Sequence, residues 1–437
     1  MRGVATEADA EGRTMSTLDE IFADCSLERV GFRLWSGTRW PDERPRPATI
    51  VLRSPSSLAQ MFLPGTEVGL AEAYLHKDFD IEGDIEAAFD IADSLLARRQ
   101  DLKSKVKLAG ALLSQSESHS ASKLRAAAAM ILPSVPHSPE RDRHVTRFHY
   151  NLSNDFFRLW LDQRMIYSCA YFGSPSDSID HAQERKLDYL CRKLRLRPGQ
   201  RILDIGCGWG GLVIHAVKHF GVRAVGINLS ERQIELARAR IAEAGLQDSA
   251  TIELRDYREI SSSGETYDAI VSVGMSEHVG RDRLPNYFEE AYAALKPGGV
   301  FLNHAISDSV VARPDNRDGS FIDHYVFPDG DMPPLPLLLK AAEAAGFEIR
   351  DVENLREHYA LTLGHWLNRL DAHRAEALAL VDEATFRIWR LYLAGSAHGF
   401  CRNHLAVFQT LLAKGDEKGQ ANLPLTRDDW YPQDGTY

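Results

Sequence analysis

Cysteine is scarce in this sequence: five residues among 437 lie far apart, and no C-x-x-C pair occurs. This spacing argues against a zinc knuckle and against a disulfide framework, because both need clustered or regularly paired cysteines. No metal site is therefore expected, and the thiols are predicted to stay reduced, as in a cytosolic protein. The five are Cys25, Cys169, Cys191, Cys207 and Cys401.

Long apolar runs and an excess of positive charge are missing as well. No stretch approaches the roughly 18 apolar residues that a membrane-spanning helix needs, and the acidic N-terminus lacks the apolar segment of a signal peptide. The net charge of −11 argues against attraction of the whole molecule to nucleic acid or anionic lipid. We therefore expect a cytoplasmic protein whose contacts with a membrane, if it makes them, come from a local basic patch.

One such patch is present in residues 101–147, where eight lysines and arginines stand against four acids. Apolar residues spaced among Lys103, Lys105 and Lys107 form a loose apolar face. Two interpretations stay open: a solvated linker, or a basic amphipathic surface that touches anionic lipid head groups.

Strand-like and helix-like segments alternate from about residue 150 onward. This alternation predicts an α/β fold with a doubly wound parallel sheet. A helix is predicted over residues 151–161, with Asn154 or Asp155 as its cap, and the stretch 359–412 is expected to be mostly helical and to cap the site. The strand candidates are 201–205, 224–227, 251–254, 268–273 and 300–304.

The same patterns divide the chain into five segments. Only two of them carry enough strand and helix signals to fold as domains, and the polar ends are expected to lack structure. The segments are a disordered N-terminus over 1–20, a small α/β unit over 21–100, the basic linker over 101–147, the catalytic domain over 148–415 and a C-terminal tail over 416–437.

A glycine-rich turn follows strand candidate 201–205. Asp204 precedes Gly206, Gly208 and Gly210, which stand at every second position before an apolar helix. Glycine permits a tight turn and close approach of a ligand to the backbone, and amide groups at a helix start can bind a polar ligand. The order D-x-G-x-G-x-G resembles S-adenosylmethionine (SAM) methyltransferases rather than the dinucleotide-binding enzymes, which use G-x-G-x-x-G.

Residues that end the next strands should meet the same ligand, because ligands bind beyond the C-terminal ends of parallel strands. The second strand ends in Asn228, where related folds often place an acid on the ribose, and Gln233 could share that contact. Asp256 and Tyr257 end the third strand and could meet the adenine amino group and ring face.

Glu277 and His304 follow the fourth and fifth strands and are predicted to lie over the same edge. Glu277 could instead be a solvated loop acid, and His304 could be an ordinary histidine of the core. Cys169 alone would be a small buried hydrophobic residue.

Several separated motifs, in order, closely resemble the cyclopropane fatty acid synthase family. The likeness covers about residues 140–412, and residues 45–100 resemble the N-terminal domain of bacterial members that act on membrane phospholipid. The motifs are His149-Tyr150-Asn151-Leu152-Ser153-Asn154-Asp155, Tyr167-Ser168-Cys169-Ala170-Tyr171-Phe172, Gly274-Met275-Ser276-Glu277-His278-Val279-Gly280, His304-Ala305-Ile306, Tyr325-Val326-Phe327-Pro328-Asp329-Gly330 and, more weakly, Tyr359, Thr362, Leu363 and Trp366.

The resemblance implies transfer of a methyl group from SAM to a cis double bond of a phospholipid acyl chain, then proton loss and closure of a cyclopropane ring. It implies a bound bicarbonate as base, peripheral contact with the inner face of the membrane, and a homodimer. The implied bicarbonate ligands are Cys169, Glu277, His304, the backbone of Ile306, and Tyr359. The implied SAM contacts are Tyr167, Ser168, the segment from Asp204 to Gly210, Asn228, Gln233 and Tyr257.

Three alternatives stay open at this point. The same carbocation could give a methyl- or methylene-branched chain, some relatives methylate small amines, and a lipid- or SAM-binding module need not be an enzyme. Two departures bear on the site: Asn228 replaces the family's common threonine, and Ser276 stands where an aromatic residue often precedes the catalytic glutamate.

Overall fold

The computed structural model of the protein describes residues 7–96, 112, 141, 152–308, 320–421 and 423–431. The chain forms two compact units, and each is assembled from separated stretches of sequence. The first contains Met1–Met130, Asn316–Val326 and Asp382–His398; the second contains Ile131–Asp315, Phe327–Val381 and Gly399–Tyr437. Two segments of the stretch expected to be one catalytic domain, 148–415, thus group with the first unit.

The first unit is built on a four-stranded sheet in the order β2-β1-β3-β4, in which only β1 and β3 run parallel. Its strands are short, between 2 and 5 residues long. The elements before residue 97 are α1 (Glu7–Phe22), β1 (Val30–Arg33), β2 (Arg39–Trp40), β3 (Ala48–Leu52), α2 (Ser57–Phe62), α3 (Glu67–Leu75), β4 (Phe79–Gly83) and α4 (Ile85–Leu96).

Helix α1 occupies most of the region that the sequence predicted to be disordered. Its residues Leu18, Ile21 and Phe22 are buried, and the Phe22 ring lies 4.9 Å from that of Phe32 in β1. The expectation of disorder therefore does not hold over residues 7–20. The helix depends on this contact with the sheet, because its polar sequence has only a narrow apolar stripe to signal it.

The second unit contains a seven-stranded sheet in the order β10-β11-β9-β8-β5-β6-β7. Strands β5 to β9 pair in parallel, and helices connect them, so the predicted α/β fold with a doubly wound sheet is confirmed. Its first elements are α5 (Asn154–Trp160), α6 (Ile179–Lys193), β5 (Arg201–Ile205), α7 (Gly211–Phe220), β6 (Arg223–Asn228), α8 (Glu231–Glu243), β7 (Ala250–Leu254), β8 (Tyr267–Val273), α9 (Leu284–Ala294) and β9 (Leu295–Asp308).

The remaining elements differ from the sequence prediction in one respect: the stretch 359–412 is not helical to its end. Leu405–Ala413 forms β11, which pairs antiparallel with both β9 and β10. Nearly all of its side chains are buried, and a continuous apolar run does not distinguish a buried strand from a helix. The elements are α10 (Phe321–Tyr325), α11 (Leu335–Ala344), β10 (Glu348–Asn354), α12 (Arg356–Ala372), α13 (Arg374–Leu380), α14 (Glu383–Cys401) and β11.

Two further local findings concern helix ends and membrane spans. Helix α5 is capped by Ser153, whose hydroxyl accepts from the Phe156 amide at 3.2 Å, rather than by the predicted Asn154 or Asp155. Serine in an extended conformation before the first turn satisfies an otherwise free amide. Within the described ranges, no helix has the length and apolarity to cross a bilayer.

Candidate active site

The glycine-rich turn leaves strand β5 and enters α7 through backbone conformations that favour glycine. Gly206, Gly208 and Gly210 have φ angles of 80°, 52° and 77°. A Cβ at Gly210 would also lie 3.1 Å from the Cβ of Ala237 in α8. The turn therefore needs glycine for its conformation and, at Gly210, for space.

A cavity lies at the C-terminal ends of β5, β6 and β8, where a doubly wound sheet binds ligands. It gathers eight of the ten residues predicted to contact the cofactor. These are Tyr167, Ser168, Asp204, Gly206, Gly208, Asn228, Gln233 and Tyr257.

The other two predicted cofactor residues do not line the cavity. Gly210 caps the start of α7. The Asp256 carboxylate is buried and engaged by Arg258, with a bond of 2.8 Å from Nε to Oδ1 and another of 2.7 Å to Oδ2. Arg258 lines the cavity instead, and Asp256 orients it. The two residues are close in sequence, but the sequence did not indicate this arrangement.

Asn228 and Gln233 act as a pair. Asn228 Nδ2 donates to Gln233 Oε1 at 2.8 Å and to the Gly208 carbonyl at 3.3 Å. The amide that replaces the usual acid is therefore tied both to the glycine turn and to the first turn of α8. The two side chains are thus held together, and the ribose contact that they were expected to share stays a prediction.

Two buried groups of opposite charge line the cavity. Asp204 is 3% exposed and Lys186, on α6, is 1% exposed. Burial raises the pKa of Asp204 to about 7 and lowers the pKa of Lys186 to about 8, because each charged form loses its hydration. Sequence reasoning missed Lys186, although the buried stripe Ile179, Ala182, Gln183, Lys186 and Leu187 has helical spacing and places this lysine on an apolar face.

Aromatic and sulfur-containing residues complete the cavity wall; they stand in stretches that the sequence analysis quoted, but none except Trp209, within the segment from Asp204 to Gly210, was given a role there. Phe327 lies with its ring 5.4 Å from that of His278, and both line the cavity with Met275 and Trp209. Apolar walls of this kind exclude water from a ligand's reacting atoms.

The five residues predicted to act in catalysis, called the second group below, are linked by a series of contacts through the backbone beside this cavity. The Cys169 sulfur lies 3.8 Å from the Leu355 carbonyl, and the Leu355 amide donates to Val407 of β11 at 2.8 Å. Val407 pairs with Ile306 of β9. These contacts connect Cys169 to strands β11 and β9 of the sheet.

The same chain of contacts reaches the remaining members. The amide of Ile306 donates to Glu277 Oε1 at 2.7 Å, and His304 stands two residues earlier on the same face of the strand. Tyr359 follows Leu355 by one turn of α12, and its amide bonds the Leu355 carbonyl. Residues distant in sequence are thus linked by these contacts, and their shared role in catalysis stays a prediction.

An aromatic chain joins this second group to the cavity. The ring of Trp366 lies 5.3 Å from that of Tyr167, which lines the cavity, and 6.1 Å from that of Tyr359. The centroid of the Phe400 ring lies 4.6 Å from that of the Tyr359 ring. The wall between the two groups is therefore rich in π-faces, which attract positive charge.

Burial sets the electrostatics of the second group. It raises the pKa of Glu277 to about 7 and holds that of His304 well below its usual value. Glu277 Oε2 and His304 Nε2 are buried and have no hydrogen-bond partner among the described residues. Burial also raises the pKa of the Cys169 thiol, which makes it an unreactive neutral group rather than a nucleophile.

The histidine tautomer follows from its neighbour. With the Gln409 amide oriented so that Nε2 lies 3.3 Å from His304 Nδ1, Nδ1 accepts and the proton of the neutral ring is assigned to Nε2. The site therefore offers a donor at His304 and a carboxyl that can keep its proton near neutral pH.

The described residues contain no cluster of histidine, cysteine and acids able to hold a metal ion. The polar groups of the site suit an organic cofactor. A cavity with glycine backbone, an amide pair, a tyrosine and two opposite charges fits the adenine, ribose and methionine portions of SAM.

Comparisons with known proteins agree with this geometry. A protein-family profile described as mycolic acid cyclopropane synthetase matches residues 137–410. A probable fatty acid methyltransferase of Pseudomonas putida is 39% identical over 402 residues, which are 91% of this chain and 95% of that protein. The cyclopropane-fatty-acyl-phospholipid synthase of Escherichia coli strain K12 is 34% identical over 373 residues, or 85% of this chain and 90% of that protein.

A solved structure gives the same result. Mycolic acid cyclopropane synthase CmaA1, complexed with SAH and CTAB, aligns with a TM-score of 0.58 and 33% identity over 64% of this chain and 99% of that chain. The family predicted from the motifs is confirmed. The chain belongs to the mycolic acid cyclopropane synthetase family and is a SAM-dependent methyltransferase of that family.

Proposed function

We propose that the protein converts a cis double bond in a phospholipid acyl chain into a cyclopropane ring. The observation that carries this proposal is a pair of buried atoms, Glu277 Oε2 and His304 Nε2, that have no hydrogen-bond partner among the described residues. Glu277 stands between Met275 and His278, which line the SAM cavity. Methyl transfer to an alkene needs such a place, because it creates a cation that must then lose a proton away from water.

The reaction balances in two steps. The alkene π electrons form a bond to the methyl carbon of SAM, the carbon–sulfur bond breaks with its electrons on sulfur, and the neighbouring chain carbon becomes a cation. A proton then leaves the new methyl group, and the electrons of that C–H bond close the ring. Tyr359, Trp366 and Phe400 would stabilise the cation through their π-faces.

The residues fit the bicarbonate that the motif resemblance implies. A protonated Glu277 carboxyl and the Nε2–H of His304 are two donors, which suits a small anion, whereas an ionised Glu277 would repel it. When bound, bicarbonate would supply the base that accepts the released proton. Cys169 and Tyr359 would complete its surroundings.

Phospholipid is proposed as the carrier of the acyl chain because the likeness extends beyond the catalytic region. The Escherichia coli relative, named for its action on fatty acyl phospholipid, covers 85% of this chain, whereas the family profile alone spans residues 137–410. Because only 27 residues follow position 410, most of the additional matched sequence lies before residue 137. Most of that stretch belongs to the first unit, for which we propose lipid binding. Peripheral association with the inner face of the membrane follows from the same proposal.

A second candidate is a methyl- or methylene-branched acyl product. The relative with 39% identity is named a probable fatty acid methyltransferase, a name that does not specify a ring. Both products pass through the same cation, and they differ only in which proton leaves or in a hydride shift before its loss.

Lipid analysis after expression tests these alternatives. The protein is produced in a bacterium that makes unsaturated phospholipids but has no cyclopropane synthase of its own, with Glu277→Gln as the matched inactive control. An acyl chain that is heavier by one CH2 and resists hydrogenation supports the ring. A product of the same mass that takes up hydrogen supports the methylene branch, and unchanged lipids contradict an acyl substrate and favour an amine.

A further inference from the structure

Gln409 is a buried amide in a strand that is otherwise almost entirely apolar. It belongs to β11 (Leu405–Ala413), in which Gln409 and Thr410 are the polar residues, and it is 0% exposed. Strand β11 lies between β9 and β10, so both of its edges are paired. Because burying an amide is costly unless a hydrogen bond compensates it, the partner of Gln409 indicates what the residue does.

The register of the sheet pairs Gln409 with His304. The two residues stand directly opposite each other in the antiparallel pair of β11 and β9, and side chains at opposite positions lie on the same face. The amide nitrogen Nε2 of Gln409 lies 3.3 Å from His304 Nδ1. The flanking pairs on that face, Val407 with Ile306 and Leu411 with Leu302, are apolar.

The other polar neighbour of Gln409 is already committed. Strand β10 places Glu353 opposite Gln409, but this carboxylate bonds Lys193 and the hydroxyl of Tyr189. Gln409 Oε1 is buried and has no hydrogen-bond partner in the part of the chain that the structure describes. The contact that the Gln409 amide makes is therefore the one with His304.

The bond at Nδ1 decides which nitrogen of His304 carries a proton. Burial holds the pKa of His304 well below its usual value, and Lys186 and Lys193 act in the same direction, so the ring is neutral near pH 7. A neutral imidazole has one N–H and one acceptor nitrogen, and the partner of one nitrogen sets the state of the other. Nε2, the nitrogen that Gln409 does not contact, is buried without a partner among the described residues.

We propose that Gln409 is a positioning residue, whose amide donates to His304 Nδ1 and thereby keeps the ring proton on Nε2, where it can be donated. Its part in the reaction rests on the proposed function, in which the Nε2–H of His304 is one of two donors to a small anion. An amide suits this task because it stays uncharged at every pH. A carboxylate at the same place would instead accept a proton from Nδ1 and leave Nε2 as an acceptor.

Nitrogen NMR measures the tautomer of His304 directly. The full chain is labelled with ¹⁵N-histidine, and comparison with His304→Ala identifies the signals of this ring, since chemical shift distinguishes a ring nitrogen that carries a proton from one that does not. Near neutral pH, we expect the wild-type proton on Nε2. Gln409→Met keeps the length of the side chain without its amide and should let the proton distribute over both nitrogens, whereas Gln409→Glu should move it to Nδ1.

Turnover reports whether this tautomer matters for the reaction. Conversion of unsaturated acyl chains in phospholipid vesicles, with SAM supplied, should fall about 10- to 100-fold in Gln409→Met, the loss typical when the partner of a ligand histidine is removed. The affinity for S-adenosylhomocysteine should be retained, because neither Gln409 nor His304 lines the SAM cavity.

Thr410→Val is the matched control. It removes a hydroxyl from the next position of β11, which is also buried but lies on the opposite face of the sheet. It should leave both the tautomer and the turnover unchanged. If Gln409→Glu does not fold, because it buries a charge, Gln409→Met is sufficient for the comparison.

The outcomes separate this proposal from the proposed function. A wild-type proton on Nδ1, or the same tautomer in the wild type and in Gln409→Met, would overturn the positioning role, and a loss of turnover without a change of tautomer would make Gln409 a structural residue only. A changed tautomer with unchanged turnover would overturn its part in the reaction. The spectra need no acyl substrate, so a wild type that converts no acyl chain would contradict the proposed function and leave the tautomer result standing.

Discussion

Glu277 and His304 are polar residues that the fold buries, one just after β8 and one within β9. Their burial, rather than a charged neighbour, is the largest cause of their shifted pKa values. A neutral histidine and a carboxyl that titrates near pH 7 can hold a small anion without placing a net charge in the wall. This is the property on which proton removal in the proposed reaction depends.

Glu277→Gln should separate catalysis from cofactor binding. The amide keeps the size of the side chain and the bond from Ile306, but it cannot provide the carboxyl proton. We expect turnover of acyl chains to fall about 100- to 10,000-fold, while the affinity for S-adenosylhomocysteine is retained, because Glu277 does not line the cavity. A parallel loss of that affinity, measured by calorimetry, would contradict the role given to Glu277.

The same substitution should change how stability depends on pH. The pKa of Glu277 is raised from 4.5 to about 7 by burial, so between these values the folded chain holds a proton that the unfolded chain has released. Raising the pH through this window therefore destabilises the folded wild type. Glutamine does not titrate, so the variant does not lose stability in this way.

The free energy of unfolding of Glu277→Gln, relative to wild type, should accordingly rise by roughly 3 kcal/mol between pH 4.5 and pH 8. Denaturant titrations at both pH values measure it. Glu235→Gln, at an exposed position of α8, is the control and should show no such change. A difference that is constant with pH would mean that Glu277 titrates as in an unfolded chain.

At the scale of elements, helix α14 shows how a late segment joins the first unit. Arg387 is 1% exposed and donates to the carbonyls of Tyr74 at 2.9 Å and Phe79 at 3.0 Å. Its guanidinium also lies 3.9 Å from the centroid of the Tyr74 ring. Arg390 extends the contact to the Ile81 carbonyl at 3.2 Å.

Arg387→Lys should destabilise the first unit even though charge is conserved. A lysine ammonium lacks the planar fork that reaches both carbonyls, which leaves buried acceptors without donors. We expect a loss of about 2–3 kcal/mol in the free energy of unfolding, measured by denaturant titration, with faster hydrogen exchange in β4. Arg223→Lys, exposed on β6, should change stability by less than about 0.5 kcal/mol; equal effects would remove the proposed role of the fork.

At the scale of the whole molecule, the contrast between an acidic chain and its basic segment 101–147 bears on membrane contact. Most of this segment lies outside the described residues. Leu112 is buried, and Arg141 is paired with Asp329, with 16% of its side chain exposed. Arg141 is thus committed to the protein, and the proposal of lipid contact rests on the lysines at 103, 105 and 107. The homodimer likewise stays a prediction.

Replacing Lys103, Lys105 and Lys107 by glutamine should weaken binding to liposomes that contain anionic lipid. Each basic residue near such a surface contributes about 1 kcal/mol, and salt screens this attraction. Cosedimentation at low and high ionic strength measures the effect. Glutamine at Lys218, Lys340 and Lys418, all exposed, makes the same charge change elsewhere and should have less effect; unchanged binding by the first variant would identify the segment as a linker.

The sequence by itself determined the family, the parallel sheet and the glycine turn, because these depend on local patterns. Asp204 and its three glycines occupy consecutive positions, and alternating strands and helices fix the edge at which ligands bind. The motifs around Cys169, Glu277 and His304 likewise lie each within a few residues. Local order was therefore enough to predict the candidate site residues.

Only the tertiary structure decided what contacts separated residues make. The amide of Ile306 bonds Glu277 across 29 positions, Arg387 meets Tyr74 across 313 positions, and Leu405–Ala413 becomes a strand because β9 and β10 pair with it. Burial has the same origin: Lys186 and Lys193 lie on one helix, but Lys193 bonds the Glu353 carboxylate and Lys186 bonds the Ser168 hydroxyl. Hydrogen-bond partners and desolvation depend on distance in space, which a one-dimensional pattern does not contain.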